Sequence, residues 1–250
     1  MPGGGWCGNL SVTYHVSRFM ERVVQPEILD HLPARDLRAL RSRRDIRRLN
    51  AWMGHHRIMA RALDLAFKGK TTRRVVELGA GDGHFLLRVA RRLSGHRQDV
   101  EAILVDRLDV FDIETRGRFN SVGWRVSNAT ADALDWLRQS HTKTTEIILC
   151  NLLLHQFLAE QLAELLHLAS GPACIFIALE PRRAWWPLFC SRSLWLVGCS
   201  SVTRHDGPVS VRAGFAGREL SALWPDGENW EFTERPAGLF SHLFIAQRKD

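Results

Sequence analysis

The stretch Glu77-Leu78-Gly79-Ala80-Gly81-Asp82-Gly83 constrains this chain more than any other, because it turns a strand into a helix through a single cluster of glycines. Upstream, Arg73-Arg74-Val75-Val76 ends in β-branched residues; downstream, Phe85, Leu86, Val89, Ala90 and Leu93 recur at helical spacing. Glycines at 79, 81 and 83 open backbone conformations closed to residues with a Cβ and let a ligand lie directly on the main chain. The unit reads strand, tight turn, helix, and the turn reads as a cofactor cradle.

Spacing selects the cofactor. The dinucleotide fingerprint is Gly-x-Gly-x-x-Gly; Gly79 and Gly81 fit it, but its third position is His84. The pattern present is acidic-x-Gly-x-Gly-x-Gly, with Glu77 closing the strand. A carboxylate beside the turn repels a pyrophosphate and suits a ligand carrying an ammonium and a sulfonium. In these residues the chain resembles the class I S-adenosylmethionine-dependent methyltransferases, over roughly Arg73 to Lys249. The resemblance implies an enzyme with S-adenosylmethionine as cofactor, held by Glu77, Gly79, Ala80, Gly81 and Gly83.

The later segments supply what such a fold needs. Glu101 to Val105 is a short apolar strand closed by Asp106, whose carboxylate is placed to accept hydrogen bonds from both ribose hydroxyls. Asp109, beyond the strand end, is the less favoured substitute. A third strand is expected through Trp124-Arg125-Val126, and the resemblance implies that Asp132 meets the adenine amino group. An N-cap role for Asp132, ahead of a helix from Ala133 to Gln139, is the alternative.

Glu146 to Cys150 is a continuous apolar run suited to a strand covered on both faces. It opens into Asn151-Leu152-Leu153-Leu154-His155-Gln156-Phe157 and an amphipathic stretch from Leu158 to Leu168. By resemblance, Asn151 borders the cofactor. Methyltransferases of exocyclic nucleobase amines usually follow such an Asn with two prolines; leucines stand here, which argues against that chemistry. Ala173 to Glu180 reads as a fifth strand, Gly217 to Leu223 as a helix, and Trp230 to Thr233 and His242 to Ala246 as the last two strands. The expected fold is α/β, a doubly wound, Rossmann-like seven-stranded sheet with ligands at the carboxyl ends of its strands. Residues 1–69 are expected as an N-terminal helical extension or lid and residues 70–250 as the methyltransferase domain, with a cap insertion at about 181–214.

A chain of 250 residues with 45% hydrophobic content can bury one large core. Its five cysteines show no metal-type spacing, which points to free thiols in a reducing compartment and to no metal. Met1 to His15 lacks a signal-peptide pattern, and Trp185 to Cys199 is too short and too interrupted to span a bilayer. A cytoplasmic protein is expected. Net charge is +7, and Arg35, Arg38, Arg41, Arg43, Arg44, Arg47 and Arg48 crowd one helical segment. No aromatic residues for stacking bases are interleaved with them, so nucleic acid is disfavoured as a partner. A solvated face with Asp36 and Asp45 as counter-charges, a peripheral membrane contact or an acyl carrier are the readings left open.

The insertion from Pro181 to Gly214 holds Trp185, Trp186, Phe189 and Trp195, then Thr203-Arg204-His205-Asp206. As a cap over the strand ends it would form an apolar pocket for an apolar or aromatic acceptor. The run Thr203 to Gly207 with Val209 to Phe215, Ser42 to Asp45 and Asn151 to Phe157 look similar to a subgroup of bacterial methyltransferases associated with phenolic lipids, polyketides or quinone-like compounds. Methyl transfer is an in-line displacement, for which the protein aligns the partners and excludes water. A phenolic acceptor gains from a general base. His155 and His205 are the catalytic candidates, and Trp185, Trp186, Glu180, Arg204 and Asp206 the substrate-binding ones. The function so read is methyl transfer to an oxygen or carbon of a small apolar or phenolic, lipid-like or carrier-bound metabolite. An RNA methyltransferase and a noncatalytic interaction protein are the alternatives.

Overall fold

Apolar runs alternate with helical patterns from residue 74 onward, and that alternation folds into a single sheet. The computed structural model describes residues 20–68, 73–139 and 146–249. Three helices come first: α1 (Ile28–His31, one turn), α2 (Leu37–Trp52) and α3 (His55–Phe67). Then follow β1 (Arg74–Leu78), α4 (His84–Leu93), β2 (Val100–Asp106), α5 (Ile113–Asn120), β3 (Trp124–Thr130) and α6 (Ala133–Gln139). The chain continues through β4 (Glu146–Asn151), α7 (Ala159–Ser170) and β5 (Ala173–Pro181). The insertion forms α8 (Trp185–Arg192), a 3₁₀ turn over Leu194–Val197, and α9 (Ser201–Ala213). The last elements are α10 (Glu219–Leu223), β6 (Trp230–Ala237) and β7 (Ser241–Arg248).

The seven strands lie in the order β3-β2-β1-β4-β5-β7-β6. All neighbours are parallel from β3 to β5, while β7 runs antiparallel to both β5 and β6. This is the α/β, doubly wound arrangement expected. The order reverses between β1 and β4, which places a ligand crevice at the carboxyl ends of those two strands.

Successive side chains of a strand point to opposite faces, so a strand covered on both sides must be apolar throughout. In β4, Ile147 and Leu149 enter one core with Val75, Leu86, Met59 and Leu63, while Ile148 and Cys150 enter the other with Val76, Leu165, Phe176 and Phe244. Helix α3 packs with α4 on the first face, and α6, α7 and α10 cover the second. The third strand runs past the expected Trp124-Arg125-Val126 to Thr130 and pairs with the whole of β2. It is an edge strand, where alternating polar residues keep their water, so its later half lacks an apolar signature.

The insertion is tied down where α9 ends. Phe215 donates its backbone N–H to the Pro181 carbonyl at 2.9 Å, and a Cβ built on Gly214 would lie 2.2 Å from that same oxygen. Backbone cannot yield as a flexible side chain does. Gly214→Ala is therefore expected to destabilise the protein by about 1–3 kcal/mol. Gly95→Ala, whose Cβ meets nothing within 4 Å, should leave it unchanged. Urea unfolding of the two variants against the parent checks this.

Candidate functional site

The carboxyl ends of β1 and β4, the glycine turn, α2, α8 and α9 enclose a mostly apolar cavity of about 740 Å³. The glycine turn forms one wall. Gly79 and Ala80 donate their N–H groups to Val105 O at 2.8 and 3.1 Å, which ties the turn to β2. Gly79 and Gly81 have φ of +70° and +54°, in the left-handed region. A Cβ on Gly81 would meet nothing within 4 Å, so the backbone there is open to a ligand. At Gly83 the missing Cβ instead makes room for Leu104 and Phe111, and this residue does not line the cavity. The sequence expectation of a cofactor contact at Gly83 gives way to a packing role.

Glu77 reaches the cavity floor fully buried, and among the described residues its Oε2 has no hydrogen-bond partner. Burial, and then the like charges of Asp82 and Asp106, push its carboxyl well above the ordinary carboxylate range. Asn50 of α2 also lines the cavity, with a buried Oδ1 that is unpartnered among the described residues. Buried acceptors left without donors are costly; two in one cavity fit a ligand that brings a cation or several N–H groups. The acceptor set therefore fits the ammonium end of S-adenosylmethionine.

Asp106 stands at the tip of β2, accepting from Gly81 N (2.8 Å) and Leu108 N (2.8 Å). Each carboxylate oxygen has a second lone pair, so this bonding leaves capacity for hydroxyls. Asp132 accepts from Leu134 N at 2.8 Å and caps α6, the alternative its position allowed. Asn151 lines the cavity with its amide fixed by His55, whose Nδ1–H donates to Oδ1 at 2.8 Å. Burial first of all lowers His55 to a pKa of about 4, so it is neutral, and its Nε2 accepts from the Ser241 hydroxyl at 2.6 Å.

Arg47 lines the cavity from α2 and forms an ion pair with Asp82 of the glycine turn at 2.5 Å. Burial works to raise Asp82, but hydrogen bonds from His84 and the Arg47 charge prevail and hold it at about 2. Nothing in the sequence pattern singles out Arg47, one of many arginines in its segment, or Asn50.

His155 is buried, with both ring nitrogens engaged. Nδ1 donates to Glu180 Oε2 at 2.8 Å and Nε2 to Glu27 Oε1 at 3.2 Å. Desolvation alone would lower its pKa; the two carboxylates reverse that and push it up to about 10. A ring already protonated cannot take a proton at neutral pH, so His155 is corrected from general base to structural cation. Glu180 is equally committed: it accepts from the backbone N–H groups of Leu153, Leu154 and His155 and does not line the cavity, which removes it from the substrate-binding set. Glu27, which no sequence signal marks, also accepts from the Ser210 hydroxyl.

The cap corrects the remaining expectations by helix phase. Thr203, Asp206, Gly207 and Ser210 of α9 line the cavity, whereas Arg204 and His205 sit on its exposed side. His205 bonds to Asp206 at 2.9 Å and is exposed, outside the residues that line the cavity. Asp206 lines the cavity but spends its oxygens on the N–H groups of Ile28 (2.9 Å) and Leu29 (3.0 Å), fastening α1. On α8, Pro187, Phe189, Cys190 and Ser191 border the cavity, while Trp185 and Trp186 are exposed and do not line it.

No family model matches the chain, and no curated protein sequence does. Solved structures match its fold. An O-methyltransferase family protein from Burkholderia thailandensis aligns with a TM-score of 0.56 at 22% identity, covering 86% of this chain and 61% of that one. The plantazolicin methyltransferase BpumL, in complex with a monoazolic desmethylPZN analog and SAH, aligns with a TM-score of 0.57 at 15% identity, covering 79% and 84%. Small RNA methyltransferase HEN1 aligns with a TM-score of 0.56 at 12% identity, covering 78% of this chain and 25% of that one. This chain thus spans 61% of the length of the Burkholderia protein. The fold is the Rossmann-like methyltransferase fold.

The His155 cation has a thermodynamic signature. Its folded pKa of about 10 lies above the ordinary histidine value of 6.5, so its contribution is complete below about 6.5 and is lost as pH rises through 10. The melting temperature is expected to fall between pH 7 and pH 10, and His155→Ala to flatten that decline while costing about 3–5 kcal/mol through the two carboxylates it strands. Differential scanning calorimetry across pH checks both.

Proposed function

We propose that this protein transfers a methyl group from S-adenosylmethionine to an oxygen or carbon atom of a small apolar or phenolic metabolite. The observation that carries the reading is the unpartnered Oε2 of buried Glu77, beside an open glycine turn at the floor of a mostly apolar cavity. S-adenosylmethionine supplies a methyl group already activated by a cationic sulfur. Glu77 would hold its ammonium, the backbone of Gly79, Ala80 and Gly81 its flank, Asp106 its ribose hydroxyls, Asp132 its adenine amino group, and Asn151 would border it. Of the expected extension 1–69, residues 1–19 and 69 lie outside the described residues; in the remainder we read α1 and α2 as the lid, while α3 packs on the sheet with α4.

Acceptor choice follows from the cavity rather than from the fold, since the matched structures include both an O-methyltransferase family protein and an RNA methyltransferase. Ile46, Leu49, Met53, Phe85, Leu194 and Val211 line it, a surface for an apolar body rather than a charged strand. Among the described residues no helix is long and apolar enough to cross a membrane. The free thiols of Cys150, Cys190 and Cys199 support a reducing compartment, and we place the protein in the cytoplasm.

The lining groups also say how the acceptor is activated. His155 is moved up to about 10, His55 down to about 4 and Asp82 down to about 2, all away from neutrality. A general base works best with a pKa near the working pH, and none of these has one. The acceptor brings its own nucleophilicity, and the protein contributes alignment and exclusion of water.

Two measurements test the reading. Asp106→Ala should weaken S-adenosylmethionine binding, measured by calorimetry, by about 1–3 kcal/mol; unchanged affinity in the folded variant removes the ribose assignment. With phenols of graded acidity, the midpoint of the kcat/KM profile against pH should follow the acceptor's own pKa. A midpoint near neutrality that stays fixed across the series would reveal an enzyme base and sink the proximity mechanism.

A further inference from the structure

Five large apolar side chains crowd the outside of the cap. Trp185, Trp186 and Phe189 share one face of α8, with Trp186 stacked on Phe189 at 5.9 Å, and Trp195 and Leu196 follow on the 3₁₀ turn; each is more than half exposed. Scattered exposed apolar residues are ordinary, but a contiguous group marks a surface that meets something. Trp52, at the end of α2, is 66% exposed and, like Phe189 and Leu196, also lines the cavity, so these three mark its mouth.

The mouth is flanked by positive charge. Leu37, Arg41, Arg44, Arg48 and Trp52 recur at helical spacing along the exposed side of α2. The Arg48 guanidinium donates to Val197 O at 3.4 Å, and Asp45 Oδ2 accepts from Ser200 N at 2.7 Å, which holds this stripe against the aromatic turn. Among the described residues no carboxylate pairs with Arg41 or Arg44. An apolar, tryptophan-rich patch bordered by exposed arginines combines the two forces that hold a protein on an anionic bilayer: indole rings settle at headgroup level, and arginines meet the lipid charge.

We propose that the outer face of α8, the Leu194–Val197 turn and the α2 arginine stripe dock on an anionic lipid bilayer. The cavity mouth then opens onto the membrane and admits an acceptor dissolved in it. The second statement rests on the methyl-transfer reading; the docking itself does not. An acidic acyl carrier would match the arginines but leaves the tryptophans in water, and a second copy of the chain would bring like charge to like charge.

The test is flotation of the full-length protein with phosphatidylcholine vesicles, with and without phosphatidylglycerol, in the absence of methyl donor. Binding is expected only with the anionic lipid, weakening as salt rises, with a blue shift of tryptophan emission. W185S/W195S should abolish the shift and most of the binding. R41Q/R44Q should weaken binding about fivefold for each arginine removed. Neither pair lines the cavity, so S-adenosylmethionine affinity measured without vesicles should stay at the parent value, and its failure in the parent would count against the enzyme rather than the docking. No vesicle binding at low salt overturns the proposal, as does a dimer dispersed by W185S/W195S or an arginine-dependent complex with an acidic acyl carrier in a protein that ignores vesicles.

Discussion

A carboxylate without access to water must be surrounded by donors or give up its charge, and Glu180 at the tip of β5 is surrounded. Three consecutive backbone N–H groups, from Leu153 to His155, and the His155 ring converge on it. That bonding fixes the turn leaving β4, and with it the direction in which Asn151 enters the cavity. The other side of the same ring grips Glu27, and Glu27 grips Ser210 of α9. One buried chain of charge thus joins the sheet, the segment before α1 and the cap. Breaking one partner strands the others in a medium that cannot solvate them, so α9 and the segment before α1 are anchored through buried groups.

Glu77 makes the contrast that identifies the ligand side. It too is a buried glutamate at the carboxyl end of a central strand, yet its Oε2 lacks a partner among the described residues and its neighbours are the acids Asp82 and Asp106. Two chemically identical side chains, in the strands on either side of β4, differ in whether the protein itself completes their shell. Where it does, the residue is architecture. Where it does not, the carboxyl gives up its charge or takes a donor from outside the chain, and the cavity that Glu77 faces leaves room for a ligand that brings one. The Arg47–Asp82 pair adds that α2 is held to the same turn, so whatever occupies the turn also faces the helix that closes over it.

The sheet and the cradle were legible in the sequence because both are local. β-branched runs, helical spacing and a glycine cluster each describe contiguous residues, and the strands they predict are found within a few positions. The place of Asp106 at the tip of β2 was legible for the same reason, since it ends its own apolar run. The acceptor site was not, because it depends on phase and on distant partners. His155 reads as a base until Glu27 and Glu180, far away in the chain, take both its nitrogens. His205 and Asp206 are adjacent in sequence but lie on different sides of α9, and only the helix phase sends one to solvent and the other to the cavity. Trp185 and Trp186 mislead in the same way: aromatic content predicts a pocket, while the residues of α8 that border it are Pro187, Phe189, Cys190 and Ser191.

The protonation states of the cavity connect these points. Three of its ionisable groups have structural duties: a cation at His155 for the anchor, a neutral ring at His55 for the Asn151 amide, an anion at Asp82 for the contact with α2. Each duty requires a pKa far from neutrality, and a group held there gains rigidity and gives up proton transfer. Three groups held this way suit a reaction whose electrophile is already activated and whose nucleophile ionises on its own. Methyl transfer from a sulfonium to a phenolate or an electron-rich carbon meets both conditions. On the proposed reading, the protonation that keeps His155 from acting as a base leaves alignment to carry the reaction.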